Sequence, residues 1–121
     1  MHRAPTTHPL LDRWRLLQLH VRCALDAGNV ERIRQYLACG QRLARAGALG
    51  ETAAQLRMLH TLLRTARDEA LPWFWRSVCL EHTAMPLARL RSLVGPHDPL
   101  GVLALEAAVQ RGFDDLPMRP A

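Results

Sequence analysis

Glycine and proline break this chain at short, regular intervals, and between the breaks apolar residues recur at steps of three and four. The breaks are Gly28-Asn29, Gly47, Pro72, Pro86, Gly95-Pro96 and Gly112. Leu10, Trp14, Leu17, Val21 and Ala24 fall on one face of a first helix, and Thr52, Leu56, Leu59, Leu63 and Ala66 do the same in the third segment. The second segment turns Val30, Ile33, Leu37 and Ala44 inward. Gly28-Asn29 supplies residues that tolerate a left-handed turn, Asn29 can cap the helix that follows, and Asp98-Pro99 pairs an N-cap with proline at the first helical position. The spacing predicts six helices, over about residues 10–27, 30–46, 51–67, 72–84, 86–94 and 99–111. Gly40 lies inside the second of them, where it costs about 1 kcal/mol relative to Ala, so a close helix crossing is expected there.

Composition agrees with an all-α domain. At 121 residues the chain is the size of one domain, and 49% apolar with 22% charged residues excludes wholesale disorder. Leu and Ala dominate, whereas strands draw on Val, Ile, Thr and aromatics. A leader (1–9) and a tail (114–121), each with two prolines, are expected to be loose around one helical domain at 10–113. Charged residues interrupt any signal-peptide core near the N-terminus, and no run of apolar residues suffices to span a bilayer. The odd count of three widely spaced cysteines does not make a disulfide framework. A cytoplasmic location without membrane insertion is the expectation.

The formal charge is +5, and all 16 basic residues are Arg. They are dispersed among apolar residues with no run of four, which reads as solvated faces, and no nucleic acid is expected as partner. Chemistry is equally sparse. Cys79 and His82 stand at a C-x-x-H spacing with no second ligand pair nearby, so neither zinc nor a Cys–His nucleophile is implied. Asp68-Glu69 and Asp114-Asp115 read as turn chemistry. No phosphate-binding glycine loop, zinc-protease motif or nucleophile elbow is present, and no cofactor or catalytic activity is expected.

The six helices, joined by short connections, make three consecutive hairpins of the size of a tetratricopeptide repeat. Two helices carry more apolar surface than one stripe can bury. Leu16, Leu19 and Cys23 form a second line on the first helix, well around from Trp14, Leu17 and Val21. On the fourth, Leu71, Phe74, Trp75, Val78 and Cys79 share a face while Trp73 and Leu80 point elsewhere. Either these helices are sandwiched between neighbours, or their second faces line a groove for another chain, with Trp an apt anchor.

The stretch Leu71-Pro72-Trp73-Phe74, then Cys79, the Leu/Arg helix Leu87 to Leu93 and Asp98-Pro99 resembles the tetratricopeptide-like needle-subunit chaperones of bacterial type III secretion systems; Gly28-Asn29 and the segment from Leu43 to Arg67 join it more loosely. The resemblance implies a stacked superhelix of hairpins. It also implies that the chain holds the amphipathic helix of a needle subunit in a concave groove, beside a small helical co-chaperone, and so prevents premature polymerisation. Helix geometry, not the resemblance, nominates Leu16, Leu19, Cys23, Trp73 and Leu80 as groove residues. The alternative from another class is a small Arg-rich helical nucleic-acid-binding or regulatory domain.

Overall fold

The computed structural model describes residues 8–118; the expectation of a loose leader and tail falls, for residues 1–7 and 119–121, outside the described residues. Among the described residues the chain is all-helical: α1 (Pro9–Cys23), α2 (Glu31–Arg45), α3 (Glu51–Ala66), α4 (Trp73–Glu81), α5 (Ala84–Val94) and α6 (Pro99–Asp115). Consecutive helices pair as α1 with α2, α3 with α4 and α5 with α6, while α3 touches every other helix. That position explains its composition. Ala54, Gln55, Met58, Leu59, Thr61, Leu62, Leu63, Thr65 and Ala66 are all buried, far more of its circumference than the line of five residues in the sequence pattern.

The interior has two parts. In the first, Trp14, Leu17 and Val21 of α1 meet Ile33, Tyr36, Leu37 and Leu43 of α2, Met58 and Leu62 of α3, and Trp75 and Val78 of α4. In the second, Leu59 and Leu63 of α3 and Leu80 of α4 meet Leu87, Leu90 and Val109 of α5 and α6. Two glycines allow the helices to close on one another. At Gly40 of α2 a Cβ would stand 2.5 Å from Met58 Sδ and 3.0 Å from Trp14 Nε1, so the expected close crossing is present. At Gly112 a Cβ would stand 2.8 Å from Leu80 Cδ2, so this residue, read in sequence as the stop of the last helix, instead seats α6 on α4. The helix carries on through Asp115, and Leu116 packs against the second core part.

The start signal of α6 lies where the sequence put it, whereas Asn29 does not cap α2, whose N-cap is Val30 without a side-chain bond, and α5 begins at Ala84, two residues ahead of Pro86. Asp98 accepts a hydrogen bond from the Gly101 N–H at 2.9 Å and caps α6, and Pro99 is its first residue. Gly47 takes the left-handed conformation after α2. The end of α1 is displaced. The helix stops at Cys23, four residues short of its expected end at Ala27, because Ala24 adopts φ 50°, ψ 45°. The Ala24 and Leu25 N–H groups then bond back to the Val21 and His20 carbonyls, a Schellman-type close. Alanine in this conformation costs about 1 kcal/mol that glycine does not. Ala24→Gly is therefore expected to stabilise the protein by about 0.5–1 kcal/mol, less whatever packing its half-buried methyl supplies. A urea midpoint that fell in the variant would contradict this cap.

Candidate partner-docking site

The wall behind the site is a polar and aromatic junction of α1, α2 and α3. Trp14 and Tyr36 stack with ring centroids 5.7 Å apart and planes 13° from parallel, and the Arg57 guanidinium lies over the Trp14 ring at 4.7 Å. Arg57 Nε donates to Gln18 Oε1 at 2.8 Å, and the Tyr36 hydroxyl donates to Thr61 Oγ1 at 3.1 Å. Burial pushes the Tyr36 phenol up to about 12, against smaller opposing effects from the Thr61 bond and the Arg57 charge. The Trp75 indole N–H donates to the Val21 carbonyl at 2.8 Å, fastening α4 to the end of α1. These contacts fix the orientation of α1, and with it the side it turns away from the core.

On that side stand Leu16 and Leu19, 56% and 55% exposed, and Cys23, also exposed. Three of the five nominated residues thus form one apolar line outside the core. Helical spacing sets Arg13 and His20 on one flank of the line and Arg15 and Arg22 on the other. Arg22 is engaged at 2.8 Å with Asp68, whose carboxyl is held below the usual range by that guanidinium first and then by the Ala70 N–H.

The other two nominees separate. Leu80 is fully buried and is not a groove residue: α6 covers it at Gly112 and it belongs to the second core part. Trp73 is half-buried, and its indole N–H donates to the Pro117 carbonyl at 2.6 Å, so the first residues beyond α6 lie against it. Phe74, placed by spacing on the same face as Trp75 and Val78, is 57% exposed. Of the two explanations for two-faced helices, sandwiching holds for α4 and exposure for α1. The reason is position: the far side of α4 meets α6, whereas α2, α3 and Trp75 of α4 all pack on the core side of α1 and leave its other side open.

A further apolar line escaped the sequence reading. Leu100, Leu103, Ala104 and Ala107 of α6 are exposed, Leu100 at 76%. Their steps of three, four and seven were the available signal.

The Cys79-x-x-His82 pair has other employment. Burial pushes the Cys79 thiol up to about 12, so it carries no thiolate at neutral pH, and His82 Nδ1 lies 2.8 Å from the Val78 carbonyl of its own helix. Among the described residues no group of three or more His, Cys, Asp or Glu could hold a metal ion, and no helix is long and apolar enough to cross a membrane. No family model, curated protein or solved structure matches the chain.

Proposed function

We propose that this chain is a cytoplasmic helix-binding chaperone of the type III secretion needle-subunit kind. Its three hairpins would stack as a tetratricopeptide-like superhelix, and it would act together with a small helical co-chaperone. The observation that carries the reading is the apolar line Leu16, Leu19 and Cys23, left outside the core of a helix whose opposite side is fully packed. Such a line at steps of three and four is the complement of a guest helix presenting anchors at i, i+3, i+4 and i+7. Covering a guest's own apolar stripe denies it the head-to-tail contact through which a filament grows.

Expression in the native host with an affinity tag tests this. The chain is expected to carry with it a short needle-type protein and a small helical protein, one copy of each. Leu16→Gln/Leu19→Gln changes only exposed side chains, so it is expected to lose the guest, a fall in affinity of about tenfold or more, with the urea midpoint unchanged. A stable, partner-free monomer, or a double variant that retains its guest in full, overturns the reading.

A further inference from the structure

The arginines that look scattered along the sequence are gathered by the fold. Arg57, His60, Arg64 and Arg67 recur at steps of three and four, so they share one side of α3 and its end, a row about 15 Å long at 1.5 Å per residue. His60, Arg64 and Arg67 are exposed. Arg57 is half-buried and held in place by Gln18 and the Trp14 ring, both neutral, so its charge is positioned without being cancelled. The Gln18–Arg57 bond also brings α1 alongside, and Arg22 lines one open depression of about 570 Å³ together with Arg64 and Arg67. Asp68 and Glu69 line it too, and Asp68 and Arg22 neutralise each other. Among the described residues no carboxylate forms an ion pair with Arg57, Arg64 or Arg67.

We infer that this row on α3 is a docking track for an acidic segment of a partner protein. The inference goes beyond the chaperone reading, which rests on the apolar line of α1, and holds or fails separately from it. Guanidinium groups repeating at helical pitch match carboxylates repeating at the same pitch, and each Arg can engage a carboxylate through two parallel N–H bonds. Nucleic acid fits less well. Trp14, the ring beneath Arg57, is fully buried, so the row itself offers no face for a base to stack on.

Fluorescence anisotropy on the full chain tests the track, using three labelled probes: a helical Glu/Ala peptide of about 20 residues, its Lys/Ala counterpart, and an oligothymidine of about 20 nucleotides. The Glu/Ala peptide is expected to bind, more weakly as salt rises, and the Lys/Ala peptide is not. Arg64→Glu/Arg67→Glu is expected to weaken the Glu/Ala peptide about tenfold or more, while Arg42→Glu/Arg45→Glu, the same charge change on exposed positions of α2, stays within about twofold. Leu16→Gln/Leu19→Gln is expected to leave this binding intact, which separates the track from the apolar line. Absence of Glu/Ala binding, equal losses in the two charge-reversed variants, or tighter binding of oligothymidine than of the acidic peptide overturns the inference.

Discussion

Gly40→Leu is expected to destabilise the protein by about 3 kcal/mol, the upper part of the range for overpacking a filled core. Position 40 is where α2 crosses α1 and α3 in the first core part, and a Cβ there already meets Met58 of α3 and the indole of Trp14. Trp14 cannot yield: it is fully buried, stacked on Tyr36 and covered by Arg57. Its Nε1 is buried without a hydrogen-bond partner among the described residues, directly below the space that a side chain at 40 would fill. Met58 can yield, because its thioether end is flexible. Gly40→Ala sets a gain of about 1 kcal/mol in helix propensity against a displacement of Met58 and a 3.0 Å approach to Trp14 Nε1, and is expected to cost less than Gly40→Leu. The cycle with Met58→Ala is the sharper measurement. Shortening Met58 opens room beneath position 40, so the double variant is expected to be more stable than the two single losses added together, by about 1 kcal/mol or more. Strict additivity in urea denaturation would mean that the crossing is not where the strain falls.

That glycine shows what could be read from the sequence. A residue unfavourable in a helix interior, set among good helix formers, signals a neighbour too close for a side chain, and the neighbour is there. The start of α6 was equally legible, because the Asp98 cap acts on an N–H only three residues away, whereas Asn29 and Pro86 did not open α2 and α5. The end of α1 was not legible. Gly28 advertised a break, but the chain turned at Ala24, a residue with no intrinsic preference for the left-handed region, where the Schellman-type bonds and the packing of its methyl outweigh the local cost. Leu80 fails for a related reason. Helical spacing tells which residues share a side, but not which sides acquire a neighbour, and the neighbour of Leu80 arrives with Gly112 from the far end of the chain. Phe74 and Leu80 exchange roles on this account alone. The basic row on α3 is the opposite case: its spacing was visible in Arg57, His60, Arg64 and Arg67, but counting runs of consecutive charge concealed it.

Alkaline pH is expected to unfold this protein well before its arginines lose charge. Burial raises the Cys79 thiol from an ordinary value of 9.0 to about 12, and raises the Tyr36 phenol from 10.0 to about 12. Both are acids whose neutral form the fold protects, so the unfolded chain releases these protons at lower pH than the folded chain does. Between the two values the unfolded state binds fewer protons, and stability falls as pH rises. The contribution is fully present below pH 9 and is lost toward pH 12. At about 1.4 kcal/mol per unit, Cys79 gives up about 4 kcal/mol and Tyr36 about 3 kcal/mol over that window, together comparable with the whole stability of a small domain. Cys39, raised in the same direction by burial, adds to the loss. Urea midpoints measured from pH 7.5 to 11 are expected to hold steady up to about pH 9 and then fall steeply. Cys79→Ala is expected to begin from lower stability, since it leaves a gap beside Trp75 and Val78, yet to lose less of that stability per pH unit above 9. A midpoint indifferent to pH through 10.5, or an unchanged slope in Cys79→Ala, would mean that the thiol reaches solvent and that α4 does not seat Cys79 in the first core part as its burial requires.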